Sequence, residues 1–159
     1  NMYLMQREGM IVGGSDYAEG LIETAHAVVP NAREMGAMEA ADIPTEEKYD
    51  AVYSCGVFSY FPDEAYTIRV LERMLAKTSH AIGITELHDE ALHDDYIAFR
   101  RANIPDYDER YADLSRQFYS RTFFKDFARA HDLEIDFPSL EMANYWNTPY
   151  IFTCFMYRK

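Results

Sequence analysis

Near its N-terminus the chain reads Met10-Ile11-Val12-Gly13-Gly14-Ser15-Asp16-Tyr17-Ala18-Glu19-Gly20-Leu21-Ile22. An apolar run meets two glycines and an acidic residue, and a helical pattern of apolar side chains follows. We therefore predict a strand over residues 10–14, a tight turn, and a helix over residues 16–29. Because ligands of open α/β sheets bind beyond the carboxyl ends of the strands, Asp16 is placed to accept hydrogen bonds from a ribose.

Asp16 alternatively only caps the helix, with Glu19 three residues later completing a capping box. The elements that follow favour a ligand-binding sheet. Residues 49–54 and 81–85 are typical of short buried strands, and residues 63–77 between them follow the helical period. This alternation of strands and helices predicts a parallel sheet.

The chain has 159 residues, of which 48% are hydrophobic, which predicts a single domain over residues 1–159. Residues 87–117 are charged and aromatic without a strand pattern, and they predict a helical lid or insertion. Ser120 is placed to cap a further helix. Two strands, over residues 133–137 and 150–157, then predict an antiparallel hairpin at the sheet edge.

The formal net charge of −12 repels phosphate backbones and anionic lipids, so it argues against nucleic-acid and membrane partners. It mildly favours neutral or cationic small molecules. Two distant cysteines in apolar surroundings, Cys55 and Cys154, do not form a disulfide framework, which predicts a reducing, cytoplasmic compartment.

Three segments together resemble the class I S-adenosylmethionine-dependent methyltransferases of the small-molecule branch. They are Gly14-Ser15-Asp16-Tyr17 with Leu21-Ile22, then Met38-Glu39-Ala40-Ala41-Asp42-Ile43-Pro44, and Tyr49-Asp50-Ala51-Val52-Tyr53-Ser54 with Val57-Phe58-Ser59-Tyr60-Phe61-Pro62-Asp63. The resemblance implies a Rossmann-like, doubly wound, mostly parallel α/β sheet with an antiparallel C-terminal edge hairpin. The first strand and glycine-rich loop of that family would precede Asn1, so we expect the N-terminal part of the fold to be missing from this sequence.

The resemblance implies S-adenosylmethionine as the cofactor, with contacts from Asp16, Tyr17, Glu39, Ala40, Ser54, Cys55 and Gly56. Asp16 would bind the ribose, and the side chain of Tyr17 would lie against the adenine. Glu39 would accept a hydrogen bond from the adenine amino group while the Ala40 amide donates to the ring; alternatively, Glu39 is a solvated loop carboxylate. The last three residues would line the methionine part of the cofactor, where Gly56 allows close approach.

Methyl transfer from a sulfonium is a displacement, so the protein mainly aligns the nucleophile and removes any proton that must leave. We assign no catalytic residue. The candidates for substrate contact are Phe58, Tyr60, His88, Tyr107, Tyr111, Tyr119, Tyr145 and Trp146. An aromatic lining can hold a cationic amine; the alternative is that most of these side chains belong to the core. We expect a closed pocket for a small amine or another compact nucleophile.

His88-Asp89-Glu90 and His93-Asp94-Asp95 bring metal-ligating side chains close together in sequence. The two histidines are five residues apart and do not share a helical face, so we favour a solvated helix start and predict no metal. Cys55 has no histidine in a recognisable partner motif, which argues against a nucleophilic thiol.

The leading hypothesis is S-adenosylmethionine-dependent methyl transfer to a small-molecule nucleophile, by a protein that could form a homodimer. One alternative is a nicotinamide-dependent oxidoreductase, because an acidic residue after the second strand also binds ribose in that class. A second alternative is a non-catalytic domain that keeps the fold as a binding or dimerisation surface.

Overall fold

The computed structural model describes residues 1–114, 116–140 and 143–159. They form two compact units, an N-terminal unit of residues Asn1–Thr45 and a C-terminal unit of residues Glu46–Lys159. Each unit has its own sheet and helices. Among the described residues, no helix combines the length and the apolar character needed to cross a membrane. The single domain expected over the whole chain stays a prediction.

The N-terminal unit contains two short parallel strands and two helices. Its elements are α1 (Met2–Arg7), β1 (Gly14–Asp16), α2 (Glu19–Val28), β2 (Met35–Ala37) and a 3-10 turn (Ala40–Asp42). The carboxyl ends of β1 and β2 are adjacent, since Asp16 is paired with Ala37. The buried apolar side chains of this unit are Val12, Ile22, Val29 and Ile43.

The strand predicted over residues 10–14 is displaced along the chain. Pairing with β2 extends to Asp16, whose carbonyl oxygen accepts from the backbone amide of Met38 at 2.9 Å. Asp16 therefore ends the strand, and α2 begins at Glu19 with Ala18 as its N-cap. The predicted helix start and the alternative capping box are both wrong, because Glu19 opens the helix and does not occupy its third position.

The C-terminal unit is built on a four-stranded mixed sheet. Its helices and longer strands are β3 (Tyr49–Cys55), α3 (Glu64–Lys77), β4 (Thr78–His88), α4 (His93–Asn103), α5 (Tyr107–Arg110), α6 (Arg121–Ala130), β5 (Leu133–Asp136) and β6 (Ile151–Arg158). The strand order is β3-β4-β6-β5, with β3 parallel to β4 and β6 antiparallel to both of its neighbours. The α/β fold with an antiparallel C-terminal hairpin is confirmed.

Apolar side chains of helices and strands form the core of this unit. They include Val70, Leu71, Met74, Ile82, Ile84, Leu87, Phe124, Phe152, Cys154 and Met156. Helices α3 and α6 each begin at a side-chain cap, and the cap predicted at Ser120 is confirmed. The Asp63 carboxylate accepts from the Tyr66 amide at 2.7 Å, and the Ser120 hydroxyl accepts from the Phe123 amide at 3.2 Å. Both contacts satisfy amides that have no partner within the helix.

Strand β3 lies at the edge of this sheet, and the expectation that it is buried is wrong. Asp50, Ala51 and Tyr53 are exposed, the last by 41%. Among the described residues of the C-terminal unit, β3 pairs only with β4. In the described part of this unit, β3 is therefore an edge strand with one partner.

Strand β4 is irregular close to its carboxyl end. Its register with β6 shifts between Ile84 and Leu87. Glu86 lies within this interruption with φ 61°, in the left-handed region that non-glycine residues rarely adopt. This geometry is a β-bulge, which bends a strand locally and changes the direction of a side chain.

The segment predicted as a helical lid contains α4 and α5, and Pro105 lies between them. Ser115 of this segment lies outside the described residues. Helix α4 is anchored by Tyr96, which is fully buried and packs its ring against those of His88 and Phe118. A lid function for the segment stays a prediction.

The sheet of the C-terminal unit should not tolerate a side chain at Gly83. A methyl group added there would lie 2.7 Å from a ring carbon of Phe155 and 3.0 Å from one of Tyr53. We expect Gly83→Ala to lower the free energy of unfolding by about 1 to 3 kcal/mol. Urea denaturation followed by circular dichroism measures the change. Gly20→Ala adds a methyl group with nothing within 4 Å in helix α2, where alanine is favoured over glycine, so it should keep or raise stability by up to about 1 kcal/mol; equal losses in the two variants would contradict the prediction.

Candidate functional site

The N-terminal unit places four of the predicted cofactor residues at one edge of its sheet. Asp16 is the last residue of β1 and Tyr17 follows it. Glu39 and Ala40 come shortly after β2. Because the two strands are parallel neighbours, their carboxyl ends meet at the same edge. This is the edge at which open α/β sheets bind ligands.

The side chains at this edge suit a nucleoside. One oxygen of the half-buried Asp16 carboxylate accepts from the Ala18 amide at 2.9 Å, and the other has no hydrogen-bond partner among the described residues. Tyr17 is 80% exposed, so a face of its ring is open to a planar base. Ala40 is the first residue of a 3-10 turn, where backbone amides have no acceptor within the turn.

In the C-terminal unit, Ser54, Cys55 and Gly56 lie at the carboxyl end of β3. Gly56 has φ 67°, and its amide donates to the carbonyl oxygen of Thr85 at 3.1 Å. Cys55 was expected in apolar surroundings, and this is wrong. Its thiol is exposed and donates to a carboxylate oxygen of Glu86 at 3.6 Å, because β3 is an edge strand.

A cavity of about 120 Å³ lies where β3 and β4 end in the C-terminal unit. Its walls come from Gly56, Ser59, Tyr60, Glu86, His88, Tyr96, Arg116, Tyr145, Trp146 and Asn147. Four substrate candidates named from the sequence, Tyr60, His88, Tyr145 and Trp146, are therefore brought together. They come from three separate stretches of chain that the sheet and α4 assemble.

Glu86 is held in this wall by hydrogen bonds to neutral groups. The hydroxyl of Tyr145 donates to Oε2 of Glu86 at 2.6 Å, and the Cys55 thiol contacts Oε1. Burial and the hydrogen bond to Glu86 both raise the pKa of Tyr145 above its usual value, so this phenol stays protonated and donates. The β-bulge in β4 is what presents Glu86 at this place.

His88 is buried at the end of β4, with only 3% of its surface exposed. The amide nitrogen of Asn147 lies 3.5 Å from Nε2, and Nδ1 has no hydrogen-bond partner among the described residues. Burial, together with the positive charges of Arg116 and Arg100, lowers the pKa of His88 to about 4. His88 is therefore a neutral hydrogen-bonding group near pH 7 and a weak proton acceptor.

Two of the substrate candidates belong to the core. Phe58 and Tyr119 are each 1% exposed. The hydroxyl of Tyr119 donates to the carbonyl oxygen of Phe58 at 2.8 Å and lies 2.9 Å from the hydroxyl of Thr67, so its polar atom is satisfied within the protein. Both residues are corrected to core positions, because their rings pack against the ring of Phe124 in α6.

Tyr107 and Tyr111 lie outside the cavity wall. Their ring centroids are 5.0 Å apart, and each ring lies within 5.3 Å of the Arg100 guanidinium carbon. They position that arginine. Glu86, Arg100 and Arg116 were missed from the sequence, since isolated charged residues in a charged segment resemble ordinary surface residues.

The acidic and histidine-rich segment after β4 divides into two parts. His93, Asp94 and Asp95 are exposed at the start of α4, which is the solvated helix start expected. His88 and Asp89 are buried, which was not expected, and the Asp89 carboxylate pairs with Arg121. No group of three or more His, Cys, Asp or Glu side chains in the described part of the chain could hold a metal ion.

A protein-family model described as a methyltransferase domain matches residues 1–82, slightly more than half of the chain. The chain belongs to this methyltransferase family. The resemblance to S-adenosylmethionine-dependent methyltransferases is confirmed, and the assignment supports that cofactor and gives no support to the oxidoreductase alternative. No curated protein sequence matches the chain.

Solved structures of methyltransferases share the fold of this domain. Magnesium protoporphyrin IX methyltransferase from Synechocystis PCC 6803 with bound SAH has a TM-score of 0.71 and 14% identity over 99% of this chain and 68% of its own. The plantazolicin methyltransferase BpumL, in complex with a triazolic desmethylPZN analog and SAH, has a TM-score of 0.71 and 14% identity over 99% of this chain and 71% of its own. A SAM-dependent methyltransferase from Methanosarcina mazei has a TM-score of 0.62 and 14% identity over 98% of this chain and 84% of its own.

The domain spans only part of these relatives. It covers 64% of the Synechocystis enzyme in the structure with bound SAM. At identities near 14%, the likeness establishes the fold, and the substrates of those enzymes remain theirs.

The buried His88 should make the stability of the methyltransferase domain depend on pH. Its pKa of about 4 in the folded protein lies below the ordinary value of 6.5, so the unfolded chain binds more protons between these two pH values. The stabilisation by the neutral ring is complete above pH 6.5 and is lost as the pH falls towards 4. As the pH falls from 6.5 to 4, the free energy of unfolding of the wild type should decrease by up to about 3 kcal/mol more than that of His88→Gln.

Urea denaturation at a series of pH values measures this difference. His131→Gln removes an exposed histidine of the same unit and should leave the profile of the wild type unchanged. Parallel profiles for the wild type and His88→Gln would show that the ring is not held neutral by its surroundings.

Proposed function

We propose that this domain transfers the methyl group of S-adenosylmethionine to a small-molecule nucleophile. The observation that carries the small-molecule substrate is the cavity in the C-terminal unit, which is only about 120 Å³ and is lined by aromatic and polar side chains. Nucleic acids bind to extended basic surfaces, and this chain has a net charge of −12. A cytoplasmic location, a homodimer and the lack of nucleic-acid and membrane partners are further parts of the proposal.

In this proposal the N-terminal unit binds the adenosine part of the cofactor. The free oxygen of Asp16 would accept from the ribose hydroxyls while its other oxygen remains bonded to the Ala18 amide. The exposed ring of Tyr17 would stack on the adenine. Glu39 and the Ala40 amide present an acceptor and a donor side by side, which complements the amino group and ring nitrogen of adenine.

The family resemblance assigns Ser54, Cys55 and Gly56, at the carboxyl end of β3, to the methionine part of the cofactor. The left-handed backbone of Gly56 excludes a bulky side chain there, which supports a close approach of the ligand to the backbone. When bound, S-adenosylmethionine supplies an electrophilic methyl group on a sulfonium. The protein's own part is to orient the nucleophile and to exclude water, and the aromatic wall of the cavity suits both tasks.

Calorimetric titration of the full-length protein with S-adenosylhomocysteine, and separately with a nicotinamide dinucleotide, tests the cofactor. A transfer assay with labelled S-adenosylmethionine then tests small amines, thiols, phenols and carboxylic acids beside tRNA and protein extracts. We expect the protein to bind S-adenosylhomocysteine and to label small molecules. Labelling of macromolecules alone would reject the proposal, and cofactor binding without any transfer would favour a non-catalytic binding domain.

Replacement of Asp16 tests the ribose contact. We expect Asp16→Ala to weaken S-adenosylhomocysteine binding by about 1.5 to 3 kcal/mol, because charge-assisted hydrogen bonds to two hydroxyls are lost. Asp16→Asn keeps an oxygen for the Ala18 amide and removes the charge, so it should also weaken binding without disturbing the turn. Calorimetry measures both affinities.

Glu23→Ala removes an exposed carboxylate from the neighbouring helix α2 and serves as the control for net charge. It should bind as tightly as the wild type. If folded Asp16→Ala and Glu23→Ala bind with equal affinity, the role of Asp16 is limited to the turn before α2.

A further inference from the structure

Two arginine side chains lie beside the cavity of the C-terminal unit, and aromatic rings surround both. The guanidinium carbon of Arg116 is 5.1 Å from the ring centroid of Tyr60 and 6.0 Å from that of Tyr96. The guanidinium carbon of Arg100 is 5.1 Å from the Trp146 ring and 5.9 Å from the Tyr96 ring. Neither arginine forms an ion pair with an acidic residue within residues 1–114, 116–140 and 143–159.

The hydrogen-bond donors of these guanidinium groups are only partly satisfied. A ring face attracts the positive charge, but it does not replace oxygen acceptors for the five N–H groups of an arginine. Nε of Arg100 is buried with no hydrogen-bond partner among the described residues. A half-buried cation that lacks an anion is unfavourable, so the place is suited to an acidic ligand.

The wall behind Arg116 offers further donors. Tyr96 is fully buried and His88 nearly so, and both line the cavity. The Tyr96 hydroxyl and Nδ1 of His88 have no hydrogen-bond partner in the described part of the chain. Because Nε2 of His88 faces the Asn147 amide, Nδ1 is the ring nitrogen left to bind a ligand. Neutral donors beside a guanidinium complement a negative group.

Among the described residues, the carboxylate in the wall of this cavity is that of Glu86. Its two oxygens already accept hydrogen bonds from the Tyr145 hydroxyl and the Cys55 thiol. An ammonium group would have to compete for Glu86 while two guanidinium charges repel it. The local charge therefore disfavours the amine that the acidic composition suggested.

We propose that the methyl acceptor carries a carboxylate that Arg116 binds in this cavity, with an apolar or aromatic body lying against Tyr60 and Trp146. The inference rests on the proposed function and names the substrate class of the same site. A planar guanidinium can bind a carboxylate through two parallel hydrogen bonds, and the aromatic side chains supply a surface for the rest of the molecule. Arg100 adds positive potential from behind Tyr96 without lining the cavity.

Matched small probes test the charge that the site prefers. The full-length protein is first saturated with S-adenosylhomocysteine and then titrated with phenylacetate, phenylacetamide, 2-phenylethylamine and phenyl phosphate. We expect phenylacetate to bind about 10- to 100-fold more tightly than phenylacetamide, which corresponds to charge-assisted hydrogen bonds to one arginine. The amine should bind most weakly, and phenyl phosphate should bind more weakly than the carboxylate.

Arg116→Gln should abolish the preference for phenylacetate over phenylacetamide and leave S-adenosylhomocysteine affinity unchanged. Arg110→Gln removes an exposed arginine of the same segment and should retain the preference. The inference is overturned if wild-type protein that binds S-adenosylhomocysteine prefers the amine or the phosphate, binds none of the probes, or keeps its preference in Arg116→Gln. Absence of S-adenosylhomocysteine binding in the wild type would instead reject the proposed function, so the two failures are distinguishable.

Discussion

The C-terminal unit depends on the pairing of β4 along both of its edges. This strand is hydrogen-bonded to β3 in parallel and to β6 in antiparallel register, and it buries Ile82, Ile84 and Leu87. Because its backbone polar groups are satisfied on both sides, β4 can pass through the core without unpaired groups. It ends at Glu86 and His88, so the strand that holds the sheet together also delivers two polar side chains to the cavity.

Local patterns were enough to predict most of the fold. The apolar period of α3 with Asp63 at its start, the Ser120 cap of α6 and the final two strands all follow from neighbouring residues in sequence. The exact start of β1 did not follow, because it depends on which residues pair with β2. The exposure of β3 also depends on its place in the sheet order, and a sequence of apolar residues does not contain that information.

The candidate site divides in the same way. Residues that follow strand ends, such as Asp16 and His88, could be named because topology places strand ends at ligand sites. The status of each aromatic side chain could not be predicted, since Tyr119 in the core and Tyr60 at the cavity occur in similar sequence contexts. The role of Arg116 could not be predicted from the sequence for a further reason. Its significance comes from the rings around it and from the absence of an ion pair with an acidic residue in the described part of the chain, and both are properties of the assembled structure.

The β-bulge at Glu86 ties the chemistry of the cavity to the length of the chain. The bulge places one more residue on β4 than on β6 between the paired positions Ile84 and Leu87. Deleting Glu86 would restore the regular register and leave Leu87 and His88 paired with Phe152 and Ile151. The cavity wall would lose the Glu86 carboxylate and keep its imidazole, so a single-codon deletion at this point changes the charge of the cavity while the sheet keeps its pairing.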